Sequence, residues 1–253
     1  MKIGLIQYNP VWEDKIQNRE KIIHLLSTSK RDEEVLIFPE MTLTGFSMNT
    51  SALNETLFGE SIKFFSKLAV EYNSHFLTGI IENRDNKYYN SLIHINKNGE
   101  LVKVYRKIHP FSYSTEDLHY ERGKETVVTK IENWNAGLSI CYDLRFPELY
   151  RHYAKTKAEL IVVIANWPVT RIDHWHTLLK ARAIENQCYI AGVNRIGDDP
   201  GSHYNGYSSV FDPMGNEIVS SFNEEKLITA EILIENVRET REKLPFLNDI
   251  FLI

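Results

Sequence analysis

The sequence predicts an α/β fold, because short apolar strands alternate with amphipathic helices along its 253 residues. The strands predicted at 35–38 and 160–165 are apolar or nearly so throughout, as expected for strands buried on both faces. The helix predicted at 61–72 places its apolar residues at the three- and four-residue spacing of one helical face. No linker, repeat or low-complexity tract divides the chain, so we expect one domain over residues 1–253.

The first half of the chain predicts strands and helices in alternation, followed by a hairpin. The hairpin turn is the sequence NKNG at 96–99, which favours a tight turn. In the first helix we expect the four apolar residues Ile22, Ile23, Leu25 and Leu26 to face the core. In chain order the elements are a strand at 2–7, a helix at 18–29, a strand at 35–38, a helix at 61–72, a strand at 76–81 and hairpin strands at 90–95 and 101–105.

The second half repeats the alternation. Pro147 fits the first turn of a helix, where its missing N–H is not needed. A second turn signal, DPMGN at 212–216, separates two further hairpin strands. In chain order the elements are a strand at 137–140, a helix at 147–157, a strand at 160–165, a helix at 174–186, strands at 189–193, 207–211, 217–221 and 227–232, and a helix at 235–243.

These patterns leave the arrangement of the sheets open. Two sheets packed face to face fit them, and so does a single doubly wound sheet, because both bury apolar strands under helices. The apolar tail at about 240–253 fits either a subunit interface or a segment that folds back on its own core.

Composition narrows the classes of function. The net charge is −5 and no extended basic patch stands out, so we expect no nucleic-acid partner. The N-terminal apolar run is too short for a signal peptide, and no stretch reaches the length of a transmembrane helix, so we expect no membrane association. Because the only cysteines are Cys141 and Cys188, we expect no disulfide framework and a cytoplasmic protein.

Three chemically reactive side chains follow three of the predicted strands. Glu40 and Lys107 each come two residues after a strand, and Cys141 comes directly after another. Reactive groups in α/β sheets collect beyond the carboxyl ends of the strands. A carboxylate, an amine and a thiol are therefore expected near the same edge.

This set of groups is sufficient to hydrolyse an amide. Glu40 would take the proton of the Cys141 thiol and pass it to the leaving ammonia. Lys107 would lower the pKa of the thiol and then stabilise the tetrahedral oxyanion. The backbone N–H of Tyr142, at a strand-to-helix turn, would be a second oxyanion donor.

Alternative interpretations exist for each residue. A lone cysteine in an apolar strand is commonly a small core residue, and a Glu or Lys after a strand is commonly the first solvated residue. A Cys–His peptidase that uses His109 or His119 is an alternative mechanism. A binding protein without catalysis is a further alternative, although the complete set of Glu40, Lys107 and Cys141 argues against it.

Other motifs predict no metal and no cofactor. His174 and His176 lie two residues apart on a predicted helix and so face different directions, which favours surface or packing roles over a metal site. Cys188 begins an apolar strand and is expected in the core. The sequence contains no glycine-rich phosphate loop and no dinucleotide fingerprint.

Longer motifs around the three reactive residues resemble those of the nitrilase superfamily of carbon–nitrogen hydrolases. The segments FPEMTLTGF at 38–46, YRKIH at 105–109 and SICYDLRFPE at 139–148 resemble its glutamate, lysine and cysteine motifs. The resemblance runs from the first strand to about residue 240. Further matching segments are ANWP at 165–168, RAIENQ at 182–187, GVNRIG at 192–197 and FDPMG at 211–215.

The resemblance implies a four-layer α-β-β-α sandwich with Glu40 as general base, Lys107 as oxyanion stabiliser and Cys141 as nucleophile. Many members of this superfamily carry a second active-site glutamate a few residues before a glycine. Glu116, seven residues before Gly123, fits that place and would orient Lys107 or the attacking water.

Two nearby carboxylates compete with Glu116 for this role. Glu121 is the stronger competitor and Asp117 the weaker one. The segment at 114–122 is also compatible with a plain solvated loop of charged residues.

Within the superfamily the sequence is most similar to the ω-amidases, which hydrolyse α-ketoglutaramate and α-ketosuccinamate. Such a substrate carries a carboxylate, which Arg145, four residues after Cys141, would bind. A structural ion pair of Arg145 with Asp143 or Glu148 is the alternative. The predicted walls of the pocket are Phe46, Phe111 and Trp167.

The resemblance leaves other activities of the superfamily on small molecules open, because aliphatic amidases, carbamoylases and nitrilases share the same reactive residues. It also implies a homodimer, since members of this family usually pair through helices that extend the sandwich.

Overall fold

A computed structural model describes residues 1–27 and 32–252, and within these ranges the chain forms thirteen strands and seven α-helices. The strands are β1 (Lys2–Gln7), β2 (Val35–Ile37), β3 (His75–Arg84), β4 (Lys87–Ile95), β5 (Leu101–Arg106), β6 (Val128–Ile131), β7 (Trp134–Ile140), β8 (Leu160–Ala165), β9 (Tyr189–Asn194), β10 (Ile196–Asp199), β11 (Ser202–Phe211), β12 (Glu217–Phe222) and β13 (Lys226–Glu231). The helices are α1 (Lys15–Ser27), α2 (Thr50–Leu53), α3 (Glu60–Tyr72), α4 (Glu116–His119), α5 (Pro147–Lys155), α6 (Ile172–Asn186) and α7 (Ile234–Lys243).

The strands form two mixed sheets. Sheet A has the order β13-β1-β2-β3-β4-β5, in which β1, β2 and β3 are parallel and the other pairs are antiparallel. Sheet B has the order β10-β11-β9-β8-β7-β6, with β12 paired to β11, and its parallel strands are β7, β8 and β9. Each sheet thus has a parallel centre, and β2 and β7, which lead to Glu40 and Cys141, belong to these centres.

The two sheets pack face to face between two layers of helices. Alternate residues of sheet A face opposite sides, so Leu5 and Ile37 join the core between the sheets, while Ile6 and Leu36 pack under the helices. Helices α1 and α3 cover sheet A, and α5 and α6 cover sheet B. The four-layer α-β-β-α sandwich is therefore confirmed, and the alternative of one doubly wound sheet is wrong.

The strands and helices predicted from the sequence are present, with ends that differ by a few residues. Positions 28 and 29 of the first predicted helix lie outside the described residues. Within that helix Ile22 and Leu26 are buried as expected, but Ile23 is 47% exposed and Leu25 is half-buried. The inner face instead follows the four-residue spacing of Asn18, Ile22 and Leu26, which places Ile23 beside that face.

Four short elements were not expected from the sequence. Strands β6 and β10 have four residues each, and β10 reads IGDD, which shows no apolar alternation. Helices α2 and α4 are single turns of four residues. Their formation depends on the elements around them, because such short segments carry little preference of their own.

Three large apolar side chains of the C-terminal tail face solvent. Phe251 is 91% and Leu252 is 94% exposed, and Phe246 is 60% exposed. Other residues of the tail contact the body of the protein: Leu244, Leu247 and Ile250 are half-buried, and Gln187 Nε2 donates to the Leu244 carbonyl at 2.8 Å. No helix among the described residues is long and apolar enough to cross a membrane.

A buried histidine pair links the two sheets. His75 Nδ1 lies 2.8 Å from His94 Nε2, and His94 Nδ1 lies 2.6 Å from Thr129 Oγ1 of sheet B. Burial, with a smaller effect of His75, lowers the pKa of His94 from 6.5 to about 3, and burial also lowers the pKa of His75. Both rings are therefore neutral in the folded protein at neutral pH.

The histidine pair predicts a loss of stability in mild acid. In the unfolded chain His94 binds a proton below pH 6.5, whereas in the folded protein it does so only below about pH 3. The free energy of unfolding therefore falls as the pH falls between these two values. In this pH range, the free energy of unfolding of a His94→Gln variant should fall by about 1.4 kcal/mol less per pH unit than that of the wild type. Urea unfolding at a series of pH values would measure this difference. The exposed His24→Gln variant is the control, and equal slopes for His94→Gln and wild type would contradict the prediction.

Candidate active site

The side chains of Glu40, Lys107 and Cys141 meet at one edge of the sandwich. Glu40 follows β2 and Lys107 follows β5, both of sheet A, whereas Cys141 follows β7 of sheet B. All three side chains are buried, with exposed fractions of 1%, 1% and 9%. The site thus forms between the sheets, and it exists only when both sheets are packed together.

The loop that carries Glu40 lies directly on strand β3. A Cβ atom at Gly79 would come within 2.3 Å of the backbone nitrogen of Met41, so only glycine allows this approach. The Thr42 N–H donates to the Gly79 carbonyl at 3.0 Å, and the Gly79 N–H donates to Thr42 Oγ1 at 3.0 Å. These bonds fix the backbone next to Glu40.

Cys141 begins a sharp turn. Its φ angle is +47°, in the left-handed region that a cysteine rarely adopts, and a 3-10 helical turn follows at Cys141–Arg145. Backbone strain of this kind is common at nucleophiles held at a strand-to-helix turn. Tyr142, predicted to supply its backbone N–H to an oxyanion, is the second residue of this turn and lines the adjacent cleft.

Asp143 holds this turn against the segment that carries Lys107. Its fully buried carboxylate accepts the hydroxyl of Tyr105 at 2.7 Å and the backbone N–H of Ile140 at 3.0 Å. The backbone N–H and the ring Nδ1 of His109 also bind it, at 3.0 and 2.8 Å. Since Tyr105 and His109 flank Lys107, one carboxylate fixes the turn at Cys141 relative to Lys107.

Lys107 lies between two buried carboxylates. Its Nζ donates to Glu40 Oε1 at 2.8 Å, and to Glu116 Oε2 and Oε1 at 2.8 and 3.1 Å. The structure therefore places Glu116 in the site. Glu121 instead lies on the surface, 3.2 Å from Lys87, and Asp117 is exposed.

Burial and neighbouring charges shift the pKa of Lys107 and of Glu116. Burial alone would lower the pKa of Lys107, but Glu116 and Glu40 raise it well above its usual value, so the amine stays protonated. Burial, and then Glu40, raise the pKa of Glu116, while Lys107 opposes the shift. Two buried carboxylates thus share one ammonium group.

The thiol of Cys141 stays neutral in the resting site. Burial and the charge of Glu40 raise its pKa well above the usual value, and the opposing effect of Lys107 is smaller. Lys107 lowers the pKa of this thiol, as predicted, but burial and the two carboxylates outweigh the one ammonium group. A neutral thiol can act as a nucleophile only if a neighbouring base takes its proton.

Two asparagines that the sequence analysis missed complete the site. Asn90 Nδ2 donates to Glu40 Oε1 at 2.7 Å and to Glu116 Oε1 at 2.8 Å. The backbone N–H of Asn166 donates to Glu40 Oε2 at 2.9 Å, and its carbonyl oxygen lies 3.9 Å from Cys141 Sγ. No pattern in the sequence singles out Asn90, since β4 reads KYYNSLIHI and carries other polar residues beside it.

A cleft with about 490 Å³ of empty space, partly open to solvent, leads to Cys141. The aromatic walls predicted from the sequence, Phe46, Phe111 and Trp167, all line it. Further lining residues, which the sequence analysis did not single out, are Ser114, Asn166, Pro168, Arg171, Ser202 and Tyr204.

Two arginines face this cleft without an acidic partner. Arg145 packs over the Trp167 ring at 4.7 Å and lies 3.3 Å from His174 Nδ1, and Arg171 packs over the Phe111 ring at 5.6 Å. Neither guanidinium forms an ion pair with any carboxylate within 1–27 or 32–252. The alternative ion pair of Arg145 with Asp143 or Glu148 is therefore wrong.

The HWH segment forms no cluster of ligands. His176 pairs with Glu217 and stacks on Tyr207, whereas His174 points toward Arg145. In the part of the chain that the structure describes, no group of three or more His, Cys, Asp or Glu side chains is arranged to hold a metal ion. Cys188 is fully buried in the core, as expected.

Comparison with known proteins identifies the family. The profile of the carbon-nitrogen hydrolase family matches residues 2–242. The chain belongs to this family. A CN-hydrolase superfamily protein of Xanthomonas campestris, solved with an arsenic adduct in its active site, is 30% identical and superimposes with a TM-score of 0.94 over 100% of this chain and 98% of that one.

Two enzymes are similar over nearly the whole chain. A 2-oxoglutaramate amidase of Bacillus subtilis is 32% identical over 98% of this chain and 96% of its own length. The omega-amidase YafV of Escherichia coli is 34% identical over 98% and 96%. The chain is thus a carbon–nitrogen hydrolase that acts on bonds other than peptide bonds, and it resembles the ω-amidases as the sequence motifs indicated.

The different positions of Glu116 and Glu121 predict different effects of mutation. Glu116→Gln keeps the shape of the side chain but removes a charge that holds Lys107, so kcat for hydrolysis of a small amide should fall by about 10²-fold. Glu121→Gln should stay near the wild-type rate, because its side chain pairs only with a surface lysine. Initial rates of ammonia release would test both variants. Equal losses in the two variants would contradict the placement of Glu116.

Proposed function

We propose that this hydrolase is an ω-amidase that releases ammonia from the terminal amide of a 2-oxo dicarboxylic acid, such as α-ketoglutaramate or α-ketosuccinamate. The observation that carries the proposal is the pair of arginines, Arg145 and Arg171, that face the cleft beside Cys141 without an acidic partner among the described residues. The names of the Bacillus subtilis and Escherichia coli relatives support the same substrate class.

The charge of the cleft fits a substrate with a carboxylate at one end. Burial, and then the like charge of Arg171, lower the pKa of Arg145. A substrate carboxylate between them would relieve this repulsion and accept bidentate hydrogen bonds. The amide at the other end of a short substrate would then lie toward the Cys141 thiol.

In the proposed reaction, the Cys141 sulfur attacks the amide carbon while Glu40 takes the thiol proton. Lys107 and the backbone N–H of Tyr142 stabilise the oxyanion of the tetrahedral intermediate. The C–N bond then breaks, and Glu40 returns the proton to the leaving ammonia. A thioester between Cys141 and the acyl group remains.

Water cleaves this thioester in the second half of the reaction. Glu40 takes a proton from the water as it attacks, and returns it to the sulfur as the C–S bond breaks. The products are the 2-oxo dicarboxylate and ammonia. In this scheme Glu116 holds Lys107 in place, through the bonds from its carboxylate to Nζ.

We also propose that the protein is a single-domain cytoplasmic homodimer. The exposed aromatic and aliphatic residues of the tail, Phe246, Phe251 and Leu252, support an interface at this end of the chain. The presence of two buried free thiols, Cys141 and Cys188, fits a reducing compartment.

Substrate comparison tests the proposed function directly. Ammonia release from α-ketoglutaramate should exceed that from glutamine, a simple nitrile and a carbamoyl amino acid. The Cys141→Ala variant should fold normally and release no ammonia, because no other group can form the thioester. Activity confined to one of the other three compounds would refute the substrate, and a Cys141→Ala variant with near wild-type activity would refute the mechanism.

Removal of either arginine should change specificity more than chemistry. In Arg145→Gln and Arg171→Gln, the ratio of kcat/KM for α-ketoglutaramate to that for pentanamide should fall by roughly 10- to 100-fold, the value of one lost charge-assisted interaction. The exposed residue Arg238 on α7 offers a control, since Arg238→Gln should leave the ratio unchanged. An unchanged ratio in both cleft variants would show that the substrate carboxylate binds elsewhere.

A further inference from the structure

Asn90 occupies the centre of the charged cluster. It lies on β4, is 1% exposed, and its backbone carbonyl accepts the N–H of Lys107 at 2.9 Å. Its side-chain nitrogen carries two hydrogens, and each is donated to a carboxylate: one to Glu40 Oε1 at 2.7 Å and one to Glu116 Oε1 at 2.8 Å.

These contacts close a ring of four side chains. Lys107 bridges Glu40 and Glu116 on one side, and Asn90 bridges the same two carboxylates on the other. A cluster with two carboxylates and one ammonium group carries a net negative charge, and Asn90 adds hydrogen bonds to it without adding charge. The ring therefore fixes the two carboxylates relative to each other and to Lys107.

The orientation of the Asn90 amide is fixed by the same contacts. Turning the amide over would place Oδ1 between two carboxylates and repel both. In the orientation found, the buried Oδ1 has no hydrogen-bond donor among the described residues. The Asn90 side chain thus donates a hydrogen bond to each carboxylate, while its own oxygen accepts none among the described residues.

Lys107 holds the two carboxylates with only part of its ammonium group. Its Nζ contacts Glu40 Oε1 at 2.8 Å, and Glu116 Oε2 and Oε1 at 2.8 and 3.1 Å. The two oxygens of one carboxylate lie in nearly the same direction from Nζ, so one hydrogen serves both and the ammonium group keeps a hydrogen for an oxyanion. The longer contact, to Glu116 Oε1, is supplemented by the hydrogen bond from Asn90 at 2.8 Å.

We propose that Asn90 is a positioning residue that holds Glu40 and Glu116 at Lys107, through one hydrogen bond to each carboxylate, so that Lys107 directs a free N–H at the oxyanion. This inference rests on the proposed function, since it extends the proposed role of Lys107. Without Asn90, Glu40 Oε1 and Glu116 Oε1 would each keep only the contact to Lys107 among the described residues, so both carboxylates would be held less firmly.

The proposal has a consequence for the pH dependence. The Asn90 hydrogen bond lowers the pKa of Glu116, so its loss should raise the pH at which the carboxylate cluster takes up a proton. The other titratable groups that face the two carboxylates are Lys107, the Cys141 thiol and the Tyr120 hydroxyl. All three are in their protonated forms in the resting site, so an acid limb reports on the carboxylates.

Three substitutions at Asn90 test the proposal. Asn90→Leu keeps the size of the side chain and removes both donors, Asn90→Ser keeps one donor, and Asn90→Asp replaces the donors with a third carboxylate. We expect kcat for α-ketoglutaramate to fall by about 10²-fold in Asn90→Leu, less in Asn90→Ser and more in Asn90→Asp. KM should change little, because Asn90 does not line the cleft that holds the substrate.

Two pH profiles separate positioning from a structural role. In Asn90→Leu the acid limb of kcat/KM should move up by about one pH unit. The rate of alkylation of Cys141 by iodoacetamide should show the same shift, since Glu40 must be ionised to take the thiol proton. A folded Asn90→Leu variant with the wild-type kcat and wild-type acid limbs would overturn the proposal. If Asn90→Leu does not fold, the same readouts on Asn90→Ser decide.

A matched control is Asn186→Ala. Asn186 is also fully buried, also donates through Nδ2, at 2.9 Å to the Arg182 carbonyl, and also has an Oδ1 without a donor among the described residues. It lies at the end of α6, so this variant should lose stability but keep both acid limbs. An equal shift in Asn186→Ala would overturn the proposal, because a general loss of stability would then explain the result.

The alkylation profile also separates this inference from the proposed substrate. A shifted alkylation limb in Asn90→Leu, together with a wild-type protein that does not hydrolyse α-ketoglutaramate, would support the role of Asn90 and refute the substrate. Hydrolysis of α-ketoglutaramate by the wild type, together with an unshifted limb in Asn90→Leu, would support the substrate and refute the role of Asn90.

Discussion

Burial of Lys107 between Glu40 and Glu116 is the constraint on which the rest of this structure depends. Two carboxylates and one ammonium group removed from water are unfavourable unless each is paired and hydrogen-bonded. The protein meets this requirement with Asn90 and with the backbone N–H of Asn166. The groups that make these bonds come from β4, from the loops after β2 and β5, from α4 and from the segment after β8. Any error in the relative placement of these elements would leave a buried charge without a partner.

Cys141 is attached to this cluster by a second, independent set of bonds. Asp143 ties the strained turn at Cys141 to Tyr105 and His109, on either side of Lys107. Because Cys141 leaves sheet B and Lys107 leaves sheet A, the three side chains meet only when the sheets pack face to face. The resting thiol is neutral for the same reason, since packing the sheets buries it beside two carboxylates. In the proposed mechanism, the thiol therefore reacts only as a base takes its proton.

Much of the fold was readable from the sequence, because its longer elements are defined by local patterns. Runs of apolar residues mark the central strands β2, β7 and β8, and the helical spacing of Ile62, Phe65 and Leu68 marks α3. The short elements β10 and α4 were missed because their residues form no pattern. They exist through contacts with distant parts of the chain: Arg195, just before β10, binds Asn9, and the carboxylate of Glu116 in α4 binds Lys107.

The sequence by itself determined the set of reactive groups, since Glu40, Lys107 and Cys141 lie in motifs that a chain carries regardless of how its sheets pack. It also limited the second glutamate to a few candidates. Only the tertiary structure decided among them: Glu116 and Glu121 are five residues apart, yet one meets Lys107 and the other faces solvent. The tertiary structure also decided the positions of the two arginines in the cleft, the contacts of Asn90 and the neutral state of the thiol. These properties depend on distances and burial between residues far apart in the chain, and a linear pattern does not contain such distances.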